Sequence, residues 1–66
     1  MNIVFEENLV VGNYYMYASI SDGVMYKFIS HDITHNTYEA RTREVVSFRY
    51  IPHDRWIEVK VFKFGK

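Results

Sequence analysis

Two histidines, His31 and His35, stand four residues apart, which is the spacing of two metal ligands on one face of a helix. The zinc motif with this spacing has a glutamate base directly after the first histidine, whereas this chain has Asp32, whose side chain is one methylene shorter. Ile33 and Thr34 are β-branched and disfavour a helix here. Because the two imidazoles do not converge outside a helix, the sequence predicts no metal site and places both histidines in a solvent-facing loop.

His53 and Asp54 are adjacent, and Ser30 and Ser47 supply hydroxyls, so the side-chain types of a hydrolytic triad are present. A triad also needs donors for the oxyanion and a pocket that excludes water, and a chain of 66 residues has little interior volume for one. Pro52 directly before His53 is typical of a turn, in which an aspartate bonds its own backbone. The sequence therefore predicts no catalytic residue and no cofactor, and we expect a protein that is not an enzyme.

Aromatic side chains are the residues best suited to recognition in this chain, which has six Tyr, five Phe and one Trp. Tyr, Trp and Arg are enriched at interface hot spots because they bury much area for few rotatable bonds and keep a polar tip. The predicted core consists of Tyr14, Met16, Tyr26, Phe28, Phe48, Tyr50, Ile57, Val59 and Val61. The opposite strand faces then carry Tyr15, Tyr17, Trp56, Phe62 and Phe64.

This second set of aromatic residues has two interpretations. In the first, it is an exposed patch flanked by cations, and it binds a partner. The predicted partner-binding residues are Tyr15, Tyr17, Arg41, Arg43, Arg49, Trp56 and Lys60. In the second, the same face is covered by residues 3–5 or forms the far wall of a barrel, and it binds nothing.

Formal net charge is zero, which argues against a strong general attraction to nucleic acid or to anionic membranes. The charges are distributed unevenly, with −4 over residues 1–40 and +4 over residues 41–66. The chain has no cysteine, so it has no disulfide framework and no thiolate zinc site. We find no signal-peptide pattern and no membrane-length apolar run, and we expect a complete, soluble, cytoplasmic protein without a membrane partner.

Period-two alternation of side-chain classes is the main structural signal, and it is strongest over residues 56–64. The sequence predicts five strands, over residues 8–20, 24–32, 37–43, 45–50 and 56–64. Gly12 indicates a bulge in the first strand, and Asp22 with Gly23 indicates a tight hairpin turn. Pro52 interrupts the pattern before the last strand, where a single 3₁₀ turn fits.

These five strands predict one all-β domain over residues 1–66, a small, strongly bent antiparallel barrel. The arrangement resembles an SH3-like barrel, as in Tudor, KOW and many small bacterial or phage proteins. The resemblance rests on strand number and turn placement, so it implies a fold and no site residues. A five-stranded OB-like barrel is the alternative fold, although the chain lacks room for the helix that usually plugs it.

The leading functional hypothesis is a protein-binding module, a regulator or inhibitor of phage type that occludes a site on a larger host protein. The first alternative is single-stranded nucleic-acid binding, in which the predicted aromatic residues stack on bases while the cations follow the backbone. Glu39, Glu44 and Glu58 on or beside the same strands would repel phosphate. The second alternative is a structural role or a homodimer through the last strand.

Overall fold

The computed structural model describes residues 2–19 and 23–60, which form six strands and one short 3₁₀ helix. Aromatic and β-branched residues, which favour strands, fill most of these elements. The strands are β1 Ile3–Phe5, β2 Tyr14–Tyr17, β3 Tyr26–His31, β4 His35–Ala40, β5 Val45–Arg49 and β6 Arg55–Val59. The 3₁₀ helix, Glu6–Asn8, follows β1 directly. No helix in the described residues has the length and hydropathy that crossing a bilayer requires.

All six strands belong to one antiparallel sheet, in the order β1-β6-β2-β3-β4-β5. The predicted all-β class is confirmed. The sheet is open and has six strands, in place of the predicted five-stranded barrel, because β1 adds an edge strand that pairs with β6 and the sheet does not close on itself.

The open sheet is strongly curled. Tyr38 on β4 and Trp56 on β6 stack with ring centroids 4.9 Å apart and planes at 24°, although two strands lie between them. In a flat sheet the side chains of these strands would be about 14 Å apart. Glu6, just after β1, reaches Asn36 on β4 through a hydrogen bond of 3.1 Å. The curl therefore gives the sheet a concave face, which holds the core, and a convex face.

The core on the concave face is almost entirely aromatic. Tyr15, Phe28, Tyr38 and Trp56 are buried and come from four different strands. Around them pack the half-buried side chains of Val4, Leu9, Tyr17, Tyr26 and Val46. Large rings in tilted and edge-to-face contact supply both buried area and about 0.5–1.5 kcal/mol per pair, which a small domain needs.

The inward face was predicted correctly for some strands and wrongly for others. Tyr26 and Phe28 on β3 and Phe48 on β5 lie on the concave side as predicted. On β2 and β6 the prediction is wrong, because Tyr15 pairs with Tyr26, and Tyr17 pairs with Trp56. The predicted core residues Tyr14, Met16, Ile57 and Val59 therefore lie on the convex face. Val61, Phe62 and Phe64 lie outside the described residues.

The predicted first strand is interrupted by a turn. Asn13 N donates to Val10 O at 3.1 Å, and Gly12 has φ of +94°, a conformation that glycine adopts readily. The regular strand β2 therefore begins only at Tyr14. Gly12 N donates to Phe28 O at 2.9 Å and Phe28 N donates to Asn13 O at 3.0 Å, so two residues oppose one, as in the predicted bulge. A second irregularity in strand pairing lies on β3 between Phe28 and Ser30. The predicted turn at Asp22 and Gly23 falls partly outside the described residues.

Two other connections are held by local backbone hydrogen bonds. Arg43, in the β4–β5 connection, has φ of +71°, which costs a non-glycine residue about 1 kcal/mol. Hydrogen bonds of 2.8 Å join Arg43 N to Ala40 O and Ala40 N to Glu44 O and hold this connection. Before β6, Asp54 N donates to Ile51 O at 3.0 Å, a bond between residues three apart, so the segment around Pro52 forms the predicted single turn of 3₁₀ type.

Candidate binding groove

A groove of about 250 Å³ lies on the concave side of the curled sheet. Side chains from four strands and from the segments after β1 and β5 line it. We call it the aromatic groove; its lining residues are Glu6, Tyr17, Tyr26, Phe48, Arg49, Ile51, Asp54 and Trp56. Its volume is smaller than that of pockets for drug-sized ligands, about 300–1,000 Å³, and suits a single side chain or head group.

Four aromatic rings form the walls of the aromatic groove. Tyr17 and Trp56 are tilted by 52° with centroids 4.9 Å apart, and Tyr26 meets Trp56 at 90° and 6.0 Å. Tyr26 also meets Phe48 edge to face, at 86° and 5.7 Å. Because two of these ring pairs are nearly perpendicular and the third is tilted, the walls face in different directions and surround the space instead of stacking through it.

The Glu6 carboxylate is buried at one end of the aromatic groove, with only 3% of the residue exposed. It accepts hydrogen bonds from Trp56 Nε1 at 3.3 Å and from Asn36 Nδ2 at 3.1 Å. Burial raises the pKa of Glu6 above its ordinary value; the Trp56 hydrogen bond opposes this shift, and the nearby charge of Asp54 adds to it. The carboxylate thus links the edge of the sheet to β4 and β6.

Asp54 is the second carboxylate of the aromatic groove. Its Oδ2 accepts a hydrogen bond of 2.8 Å from the Tyr17 hydroxyl, and its backbone oxygen accepts one of 2.8 Å from Glu6 N. The bond to Asp54 is the main reason that the pKa of Tyr17 is raised, followed by burial. Asp54 bonds a side chain on β2 in addition to belonging to the turn in which sequence reasoning placed it.

The two buried core tyrosines, Tyr15 and Tyr38, differ in the hydrogen bonding of their hydroxyl groups. The Tyr15 hydroxyl accepts a bond of 3.0 Å from Val10 N. The Tyr38 hydroxyl lies beside Asn36 and Glu6, and burial raises the pKa of its phenol, but no group in the described part of the chain makes a well-formed hydrogen bond to it. A buried hydroxyl without a partner destabilises the folded state.

We expect Tyr38→Phe to leave the free energy of unfolding unchanged or raise it by up to about 1 kcal/mol, because the hydroxyl it removes is unpaired. Tyr15→Phe is the matched control and should lower it by about 1 kcal/mol, since it removes a bonded hydroxyl. Urea denaturation followed by Trp56 fluorescence measures both. A larger loss for Tyr38→Phe than for Tyr15→Phe would contradict the assignment.

The structure separates the predicted partner-binding residues into several places. Tyr17, Arg49 and Trp56 come together at the aromatic groove. Arg41 and Arg43 lie at the β4–β5 connection instead. They line a depression of about 480 Å³ with Tyr14, Met25, Lys27, Glu39 and Ala40.

Tyr15 and Lys60 belong to neither place. Tyr15 is 1% exposed in the core, and Lys60 is exposed directly after β6. The interpretation of one exposed aromatic patch is wrong for Tyr15 and Trp56, because β2 and β6 turn these rings toward the concave face, where they pack against Tyr26 and Tyr38. Whether the predicted residues bind a partner stays a prediction.

Sequence reasoning missed several residues of the aromatic groove. The sequence pattern places Tyr26 and Phe48 in a closed core, whereas in the structure their rings line the aromatic groove. Glu6 stands directly after an apolar strand, and this position was the only local signal that its carboxylate would be buried. The sequence pattern places Ile51 only in the interruption before the last strand.

His31 and His35 lie at the ends of strands rather than in the predicted loop. His31 ends β3 and His35 begins β4. His31 Nδ1 lies 2.6 Å from Asn36 Oδ1, and His35 Nδ1 lies 2.9 Å from Thr34 Oγ1. In residues 2–19 and 23–60, no group of three His, Asp or Glu side chains is placed to hold a metal ion.

No protein-family model, curated protein or solved structure matches this chain.

Proposed function

We propose that this protein is a binding module for another protein, a small regulator or inhibitor that covers a site on a larger partner with its aromatic groove. The observation that carries the proposal is an unfilled concavity with four aromatic walls in a domain whose core is already small. Aromatic pockets surrounded by polar and charged groups are typical of the centre of protein interfaces.

The rim of the aromatic groove supports this proposal. Ile51 and Phe48 line the groove and are 46% and 41% exposed, so apolar area faces solvent at its mouth. Arg49 and Asp54 add charges of both signs beside them. An apolar centre with mixed charges at its edge favours recognition of one protein surface over general attraction to phosphate.

The size of the molecule is consistent with the same use. The total accessible surface is 5,074 Å². A standard protein interface takes about 800 Å² from each partner, which is about a sixth of this surface.

Single-stranded nucleic-acid binding gains less support. The base-stacking hypothesis needs free ring faces at Tyr15 and Trp56, and both residues are buried. Arg41 and Arg43 lie with Lys27 beside the second depression, apart from the aromatic groove. Of the four predicted cations, Arg49 alone lies at the aromatic groove, so most of the basic groups that such binding would use lie apart from the aromatic ones.

The proposal can be tested by capture of partners from a lysate of the cells that produce the protein, after nuclease treatment and at about 0.15 and 0.5 M salt. We expect one protein to be retained in stoichiometric amount and to be lost with Ile51→Arg, which places a long, positively charged side chain at the mouth of the aromatic groove.

Val45→Arg is the matched control, since Val45 is 62% exposed on β5 and does not line the groove. It should retain the same protein. Equal loss with both variants, or loss of the captured material on nuclease treatment, would refute the proposed use of the groove.

A further inference from the structure

The aromatic groove combines two features that favour the same kind of ligand. Its walls are aromatic rings, whose faces carry partial negative charge and attract cations. Its charged lining consists of two carboxylates, Glu6 and Asp54, against one guanidinium, Arg49. Ring faces and carboxylates both stabilise positive charge, and neither stabilises an anion.

The geometry of the walls supports a compact head group. Perpendicular rings at 5.7 and 6.0 Å, with a tilted pair at 4.9 Å, surround a space of about 250 Å³. A planar ligand would be expected between parallel rings, and these rings are not parallel. A rounded cation can contact several differently oriented ring faces at once.

The carboxylate oxygens of Glu6 and Asp54 already accept hydrogen bonds within the protein. Glu6 accepts bonds from Trp56 and Asn36 through its two oxygens, and Asp54 accepts one from Tyr17. A primary ammonium brings three N–H donors that need acceptors. A methylated ammonium brings fewer donors or none, and its methyl groups pack on aromatic faces.

We propose that the aromatic groove binds a methylated ammonium group, presented by the partner as a methylated lysine side chain. The inference rests on the proposed function and specifies what the partner inserts. Tyr17, Tyr26 and Phe48 contact the methyl groups above the buried Trp56 ring, and Glu6 and Asp54 supply the opposing charge. Arg49 lies at the rim and weakens binding by like-charge repulsion.

The test uses the intact protein and small probes, with Trp56 as reporter because it is the single tryptophan of the chain. Choline is titrated beside 3,3-dimethylbutan-1-ol, its neutral counterpart of nearly the same shape. Free trimethyl-lysine is titrated beside unmodified lysine. We expect a saturable change in Trp56 fluorescence with choline and trimethyl-lysine, and affinity at least about tenfold lower for the neutral alcohol and for lysine.

Two conservative variants test the electrostatic part. Asp54→Asn keeps an oxygen that can accept the Tyr17 hydrogen bond, and it should weaken choline binding without changing binding of the neutral alcohol. Arg49→Gln should strengthen choline binding. Glu44→Gln is the charge-matched control for Asp54→Asn, since Glu44 is exposed in the β4–β5 connection and does not line the aromatic groove. It should change neither affinity.

The outcomes separate the two proposals. Equal binding of choline and the neutral alcohol, or no response to either, overturns the cation inference. If Ile51→Arg still abolishes capture of the partner, the protein-binding proposal survives that result. If Ile51→Arg also leaves capture intact, both proposals fail.

Discussion

Trp56→Ala should lower the free energy of unfolding by about 3–5 kcal/mol. The indole is 2% exposed, stacks on Tyr38 at 4.9 Å and donates its N–H to Glu6. The truncation removes a large part of the buried aromatic area and leaves an acceptor without its donor. Domains of this size have stabilities near the lower end of about 5–15 kcal/mol, so a large unfolded fraction is expected at room temperature.

Urea denaturation followed by far-ultraviolet circular dichroism measures this loss without the tryptophan. Phe5→Ala is the matched aromatic truncation, since Phe5 is exposed on β1, and it should cost less than about 1 kcal/mol. A fully folded Trp56→Ala protein with a near-native urea midpoint would contradict the burial of the indole. That result would restore the interpretation of Trp56 as an exposed anchor.

Glu6→Ala should lower the free energy of unfolding by about 2–4 kcal/mol. It removes the acceptor of two buried donors, Trp56 Nε1 and Asn36 Nδ2, and with them the bonds that join the segment after β1 to β6 and β4. Glu7→Ala is the control at the neighbouring position, because Glu7 is exposed in the same 3₁₀ helix. It should change stability by less than about 0.5 kcal/mol. Equal losses for the two variants would contradict the buried role of Glu6.

Titration of the Glu6 carboxyl group should make the free energy of unfolding depend on pH. Burial raises the pKa of Glu6 in the folded state above its ordinary value of 4.5, so the folded state binds the proton more tightly than the unfolded state. The stabilising contribution is fully present below pH 4.5 and is lost as pH rises through the folded pKa.

Glu6→Gln removes this titration. The stability of the wild type relative to Glu6→Gln should therefore fall as pH rises from 4.5, and urea denaturation at a series of pH values measures the difference. A difference that is constant with pH, or that grows as pH rises, would show that Glu6 is not held in the buried environment described here.

The residues themselves explain why some strand faces could be predicted. On β4, Tyr38 and Ala40 alternate with Glu39, so only one face is apolar, and the alternation also shows which side is buried. On β2, both faces are apolar, because Tyr14 and Met16 alternate with Tyr15 and Tyr17. Alternation then identifies a strand without showing which side is buried, and the choice depends on pairing with β3 and β6.

The aromatic groove could be predicted only in part. Tyr17 and Trp56 were selected for their residue types, and both line it. Glu6 could not be placed by local pattern, since its partners lie 30 and 50 residues away along the chain. Its position follows from the curl of the sheet, which no short segment encodes.

The place of β6 between β1 and β2 has a consequence for synthesis. The hairpins β3–β4 and β4–β5 join neighbouring segments and can form as they leave the ribosome, whereas β1 and β2 lack their shared neighbour until residues 55–59 have emerged. Bringing β6 back to β1 and β2 closes long loops, and this costs conformational entropy before the contacts between these strands form. Because Trp56 arrives with β6, the nascent chain should gain its packed core in one late step, and until then its aromatic residues are exposed to chaperones and proteases.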